Sequence, residues 1–257
     1  MKQAATGEEI RIGTAGWSIP RQHAAETAGD GTHLQRYARV FNCAEINSSF
    51  YRPHRIGTWQ RWAESVPADY RFSVKMPKAI THTAALSCTS ETLQTFLTEV
   101  GGLGEKLGVL LVQLPPKLAF DAHRAKEFFT MLRDLYDGAI ALEPRHPTWF
   151  ATEAEDVLQH LRLSRVAADP PRTSHDSKPA GWPALRYYRL HGSPRIYYSS
   201  YSDDFLSALA HSIEQDIAQN KTVETWCIFD NTALGESFAN ARSLQARLAK
   251  PDPRKAP

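Results

Sequence analysis

The chain repeats one pattern: a short run of alternating apolar residues gathers polar residues at its end, and a helix-patterned segment then leads to the next run. Eight such runs can be read, at residues 10–15, 43–50, 70–76, 107–114, 139–143, 164–169, 185–191 and 225–231. The fourth is almost continuously apolar, as expected of a strand buried on both faces. Between them, helical spacing recurs in Leu34, Tyr37, Ala38 and Phe41, in Leu93, Phe96 and Val100, and in Phe128, Leu132 and Leu135. Asp121 stands where an N-cap is needed, and Thr152 with Glu155 has the spacing of a capping box. One crossover differs. Residues 170–183 hold Pro, Ser, His, Lys and Gly without helical periodicity, which predicts a long irregular loop between strands six and seven.

Strands joined through helices pair in parallel, either in a barrel or in a doubly wound sheet. Eight strands in 257 residues favour the barrel. A nucleotide-binding doubly wound domain calls for a glycine-rich turn after an early strand, but Gly101, Gly102 and Gly104 follow a helix instead. The expectation is therefore an α/β fold, a parallel (β/α)8 TIM barrel, forming one domain over residues 1–249. The Pro- and charge-rich residues 250–257 are expected to be a disordered tail.

Composition limits the partners. Thirty Lys and Arg against 28 Asp and Glu give a formal charge of +2, so no broad field favours a nucleic-acid backbone or a membrane surface. Three widely spaced cysteines, Cys43, Cys88 and Cys227, suit neither a disulfide framework nor a thiolate metal site. With no apolar N-terminal leader and no membrane-length apolar run, the expected location is the cytoplasm.

In a TIM barrel the active site lies at the C-terminal ends of the strands, so the polar ends nominate the site. Ile46, Val74, Leu110, Val112, Leu142 and Leu190 should face the outer helices. The opposite parity turns Glu45, Asn47, Ser73, Lys75, Gln113, Glu143, Arg145, Asp169, Arg189 and His191 inward, with Asp230 or Asn231 from the last strand. The stretch from Glu143 through Arg145 and His146 to Trp149 concentrates charge between two prolines. Glu143 and Arg145 could act on a substrate or simply form an ion pair closing the barrel top. Lys75 is a Schiff-base nucleophile if desolvated, or a charged anchor if Glu45, Glu143 and Asp169 keep it protonated. His191 has the intrinsic pKa of a general acid or base, and is equally suited to being a hydrogen-bonded strut. Trp17, Phe50, Tyr51, Trp149, Tyr197 and Tyr201 lie just beyond strand ends, where they either pack loops or offer faces to a sugar or nucleobase.

These same residues carry a resemblance. Gly13-Thr14-Ala15-Gly16-Trp17, Glu45-Ile46-Asn47-x-x-Phe50-Tyr51, Lys75 with Thr81-His82, and Gln113-Leu114-Pro115-Pro116 come first. Glu143 with Arg145-His146-Pro147-x-Trp149, Asp169, Arg189-Leu190-His191-Gly192 and Asn231-Thr232 follow in order. Together they resemble the YecE-like family, domain of unknown function 72, from Gly13 to Leu244. The resemblance implies a TIM-barrel fold and no established reaction. Two departures stand out: Asp230-Asn231 where the family tends to carry two asparagines, and the polar 21–32 segment where it carries an aromatic-rich one.

The resulting expectation is an enzyme, a hydrolase, lyase or isomerase, using acid/base chemistry without cofactor or metal on a polar, anionic or carbohydrate-like small molecule. Glu143, His191, Lys75 and Asp169 form the catalytic set. Glu45, Asn47, Tyr51, Gln113, Arg145, Arg189, Asp230, Asn231, Trp17 and Tyr197 form the binding set. A divalent-metal isomerase or phosphodiesterase, with Glu143, Asp169, His191 and Asp230 as ligands, is one alternative. A non-catalytic nucleic-acid or sugar binder is another.

Overall fold

The computed structural model describes residues 10–173, 177–219 and 223–249. The expected 250–257 tail and the first nine residues lie outside these. Ten strands are present among the described residues: β1 Ile10–Thr14, β2 Cys43–Ile46, β3 Arg71–Lys75, β4 Leu107–Gln113, β5 Ala139–Glu143, β6 Leu163–Arg165, β7 Ala167–Asp169, β8 Ala180–Gly181, β9 Leu185–Leu190 and β10 Glu224–Phe229. The helices are α1 His33–Tyr37, α2 Ser48–Tyr51, α3 Ile56–Glu64, α4 Ser90–Val100, α5 Ala122–Leu135, α6 Thr152–His160, α7 Asp203–Gln219 and α8 Glu236–Leu248. The fold is mixed α/β, and all its strand pairings are parallel except that of β8.

Two sheets run in the orders β1-β10-β9-β7 and β2-β3-β4-β5-β6-β8. They meet at two places. Ala15 makes a parallel bridge to Glu45, with the Gly16 amide donating to the Glu45 carbonyl at 2.8 Å. On the other side β6 passes into β7 through Val166, whose amide donates to Leu142 of β5, while β7 pairs with β9. The sequence's single sixth strand is thus two short ones, because its first half belongs to one sheet and its second half to the other.

Strand parity sorts the side chains as expected. Ile46, Val74, Leu110, Val112, Leu142 and Leu190 belong to the large core packed against the helices. The opposite parity forms a separate inner cluster that includes Cys43, Val109, Leu111, Ala141, Tyr187 and Trp226. Burying apolar surface on both faces contributes about 25 cal/mol per Å², which is why runs such as β4 are apolar throughout. Space inside is shared unequally: a Cβ on Gly13 would lie 2.2 Å from the Cys43 carbonyl oxygen, so only glycine lets β1 approach β2 there. Tyr187 and Trp226 stack at 6.0 Å. Below them Arg11 lies 5.6 Å from the Trp226 ring and pairs with Glu224 at 2.9 Å, a polar plug at the strands' N-terminal ends.

Local details correct the sequence reading in three places. The apolar run from Cys43 stops at Ile46, and α2 occupies what alternation had extended as strand. No capping box opens α6: Glu155 instead accepts from the Gly181 amide at 2.5 Å and pairs with Arg165 at 3.4 Å. That grip helps hold β8 antiparallel on β6, so the irregular crossover carries a short strand of its own. Asp121 does cap α5, accepting from the Arg124 amide at 2.9 Å. Among the described residues the cysteines are unbonded, and no helix is long and apolar enough to cross a membrane.

Candidate functional site

The polar ends of β2, β3, β4, β5, β9 and β10 converge on the Arg189 guanidinium, which is fully buried. Its Nε and Nη2 donate to the two Glu45 oxygens at 2.9 and 2.6 Å, a bidentate pair. Nη1 donates to Glu143 at 2.8 Å, and Nη2 also donates to Asp230 at 3.0 Å. Tyr187, two residues earlier on the same inward parity, donates to Glu45 at 3.0 Å and shares a 2.7 Å hydrogen bond with Ser73. Glu45 therefore has its oxygens occupied from two sides.

Glu143 is held from above as well. Its Oε1 accepts from Gln113 at 3.2 Å and pairs with Arg145. Burial opposes the charge on this carboxylate, but Arg145 and Arg189 outweigh it and hold the carboxyl well below the usual range. Asp230 is similar: burial works against its charge, while Arg189 and the His191 hydrogen bond lower it. Both remain ionised at neutral pH, which makes them poor bases and strong fixed charges.

His191 bridges the two. Nδ1 lies 3.1 Å from Asp230, while Nε2 lies 3.0 Å from Glu143 and 2.8 Å from Arg145. Arg145 can only donate, and Glu143 can only accept. A neutral ring with its proton on Nδ1 therefore satisfies Asp230 and Arg145, whereas a doubly protonated ring satisfies Asp230 and Glu143. The ring is sealed, with no exposure.

The members differ sharply in access. Glu45, Glu143, Arg189 and His191 are at 0% exposure, while Lys75 and Gln113 at 9% and Asp230 at 8% reach the surface. The Arg145 side chain does too, at 8%. Lys75 differs from the other charged residues of this site: its ammonium makes no hydrogen bond and no ion pair, and lies 4.2 Å from the Phe50 ring centroid. Burial, followed by the charge of Arg189, lowers its pKa to about 8, although Glu45, Glu143 and Asp230 pull upward. Of the carboxylates expected to keep Lys75 charged, Glu45 and Glu143 are instead paired with Arg189, and Asp169 is bonded to Tyr201.

Other nominated residues lie off this centre. Asp169 accepts from the Tyr201 hydroxyl at 2.8 Å, and burial raises its pKa; it fastens the loop after β9 rather than joining the arginines. Asn231 turns away from Asp230, donating to the Ser199 carbonyl at 2.9 Å and to Asn240 at 2.8 Å. The choice left open by sequence parity thus falls on Asp230. Asn47 follows β2 with a buried, unpartnered Oδ1. Trp17 packs edge-on against Trp62 at 5.2 Å and Phe72 at 6.2 Å. Tyr51 is 80% exposed on the rim, whereas Tyr197 is 45% exposed with its ring edge-on to His191 at 5.9 Å. Trp149 is a core residue, donating to the Leu118 carbonyl at 2.9 Å.

Tyr187, and the pairing of Phe50 with His82, escaped nomination from the sequence. Tyr187 was legible, since it shares the parity of Arg189, but it reads as an ordinary apolar strand residue. Phe50 and His82 were not legible as a pair. Their rings meet edge-on at 4.9 Å, His82 being carried by the π-helical turn Ala79–Thr83. Among the described residues no group of three His, Cys, Asp or Glu is placed to share a metal ion. Glu143 and Asp230 face Arg189, and Asp169 faces Tyr201.

Comparisons with known proteins agree with the motifs. The model of the family described as protein of unknown function DUF72 matches residues 11–257. UPF0759 protein YecE from Escherichia coli K12 is 33% identical over 176 residues, covering 66% of this chain and 62% of that protein. Among solved structures, a DUF72 family protein from Enterococcus faecalis superposes with TM-score 0.77 at 21% identity, over 95% of this chain and 97% of that one. Another from Thermotoga maritima gives TM-score 0.74 at 23% identity, over 93% and 99%.

Proposed function

The chain belongs to the DUF72 family, whose members are proteins of unknown function, and from that premise we propose that it is an enzyme taking a polar, anionic small molecule at the strands' C-terminal ends. The strands are read as one (β/α)8 barrel of the TIM type, a single domain. The Ala15–Glu45 bridge and the passage of β6 into β7 through Val166 support a continuous ring. Cytoplasmic location belongs to the same reading.

The observation that carries the functional reading is the division of the site into a sealed base and a reachable floor. Three carboxylates, Glu45, Glu143 and Asp230, are met by Arg189. Arg145 and Lys75 are the cations of this group that also reach the surface. Arg189 alone leaves these three carboxylates with an excess of negative charge that Arg145 and Lys75 balance, and it is these two outward cations that could meet a phosphate or carboxylate. Such preorganised charge needs no reorganisation when a substrate develops negative charge. Glu143 then serves as a fixed charge that orients Arg145, not as a proton carrier. Lys75, with a pKa of about 8, has the better acid/base match to neutral pH. His191 sets the state of the Glu143–Arg145–Asp230 hydrogen bonds. Tyr197 and Tyr51 on the rim offer faces to a sugar ring. The divalent-metal alternative is not favoured, since its carboxylate ligands are turned to Arg189 and Tyr201.

Calorimetric titration at pH 7 with inorganic phosphate and with phosphorylated and carboxylated sugars tests the reading. At least one should bind, and Arg145→Gln should weaken it tenfold or more while leaving the circular dichroism spectrum unchanged. No binding across the series, or unchanged affinity in that variant, would remove the anion site.

A further inference from the structure

We propose that Lys75 is a covalent nucleophile, forming an imine with the carbonyl carbon of an anionic aldehyde or ketone, and that His82 carries the protons for that step. This rests on the anion site proposed above and narrows its substrate class to anionic carbonyl compounds.

Lys75 ends β3, where its ammonium lies over the Phe50 ring with no hydrogen bond or ion pair among the described residues. A lysine kept for charge alone would be expected to sit against a carboxylate, and three carboxylates lie within the same cluster. Arg189 takes all of them. What remains is an amine at 9% exposure on an aromatic face, reachable from the surface and tied to nothing. Desolvation beside another cation is the arrangement that makes a lysine nucleophilic near neutral pH.

His82 meets the same aromatic ring. Its centroid is 4.9 Å from that of Phe50, and its Nδ1 is hydrogen bonded to the Thr81 hydroxyl at 2.9 Å, leaving Nε2 as the nitrogen available for proton transfer. Burial, then the charges of Lys75 and Lys78, lowers the His82 pKa, so the ring is neutral and able to accept a proton. The backbone holds this placement at some cost. His82 lies in the π-helical turn Ala79–Thr83, and Ala85 and Leu86 immediately after it have φ of +48° and +69°. Non-glycine residues in that region are strained and concentrate at functional sites.

The step balances without an added reagent. One proton passes from the Lys75 ammonium to His82 Nε2 through a water, since the two groups share the Phe50 ring without a hydrogen bond between them, and the freed Nζ lone pair adds to the carbonyl carbon. The carbonyl π pair moves to oxygen, which receives a second Nζ proton to give a carbinolamine. His82 returns its proton to that hydroxyl, the C–O bond breaks, and water leaves. Ammonium plus carbonyl has become protonated imine plus water. Arg145 holds the substrate's anionic group throughout.

Pyridoxal 5′-phosphate serves as an anionic aldehyde probe, with borohydride to trap the imine, and pyridoxine 5′-phosphate as the same anion without the aldehyde. The expected result is a reduced adduct mapped by mass spectrometry to Lys75, absent at that peptide in Lys75→Met and suppressed by excess pyridoxine 5′-phosphate. In His82→Asn, imine formation should slow about 100-fold while pyridoxine 5′-phosphate binds as in the wild type. Binding of pyridoxine 5′-phosphate with Lys75 unmodified, or adducts spread over exposed lysines, overturns the covalent step and leaves the anion site standing. Failure of pyridoxine 5′-phosphate to bind at all overturns both. Equal loss of binding and rate in His82→Asn removes His82 from proton transfer.

Discussion

Replacing Arg189 with methionine should destabilise the protein strongly at pH 7 and less at pH 5. The side chain is fully buried and makes four hydrogen bonds to three carboxylates, Glu45, Glu143 and Asp230. Methionine fills similar space but leaves those carboxylates without their shared cation. Breaking a buried ion pair from one side costs about 3–5 kcal/mol. At about 2–4 °C per kcal/mol for a chain of this size, the melting temperature should fall by roughly 6–20 °C. The pH dependence follows from which influence governs the carboxyls. In the wild type Glu143 and Asp230 have lowered pKa values, so their contribution is present above the unfolded carboxylate pKa and is lost as pH falls through the folded value. In Arg189→Met, Glu143 keeps Arg145, but Asp230 loses the largest charge that opposes its burial, so its folded carboxyl rises above the unfolded value. Asp230 then takes up a proton on folding, so the loss of stability shrinks as pH falls from 7 to 5. Urea unfolding at the two pH values measures this directly: the gap between wild type and variant should narrow at pH 5. A loss below about 1 kcal/mol, or a gap of the same size at both pH values, would refute the view that Arg189 is the cation that holds these carboxylates ionised.

Two further outcomes follow from the same structure. Lys75→Met should stabilise the protein at pH 7. Lowering a lysine pKa from 10.5 to about 8 corresponds to a folding penalty of about 3 kcal/mol, present while the unfolded chain is charged and relieved as pH rises from 8 towards 10.5; equal or lower stability in urea would show that Lys75 is not held at a cost. Gly13→Ala should lose about 3 kcal/mol or more, because its Cβ would lie 2.2 Å from the Cys43 carbonyl oxygen. Gly16→Ala should lose only about 1–2 kcal/mol, since its φ of +77° is unfavourable but nothing lies within 4 Å. Comparable losses at the two positions, measured by thermal unfolding, would discount the close approach of β1 to β2.

The sequence by itself determined which residues form strands and which way most of them face. Side chains alternate across a strand with a period of two, so the apolar outer set from Ile46 to Leu190 and the polar inner set with Glu45, Glu143 and Arg189 were separable without coordinates. Ordered motifs also carried the family. Periodicity does not reach beyond the strand, however. It extended β2 past Ile46, left Asp230 and Asn231 as equals, and read Thr152 and Glu155 as a capping box when Glu155 is drawn away to Gly181 and Arg165. Tertiary structure alone decided the pairing of charges. Lys75 and Arg189 have the same formal charge and the same parity, and no local rule says which receives the carboxylates. Arg189 lies deeper, and its planar fork satisfies Glu45 in bidentate fashion while still reaching Glu143 and Asp230. Lys75, a point charge at the rim, is left on the face of Phe50. His82, carried by a π-helical turn, meets the same ring, a contact between distant segments that no strand or helix period predicts.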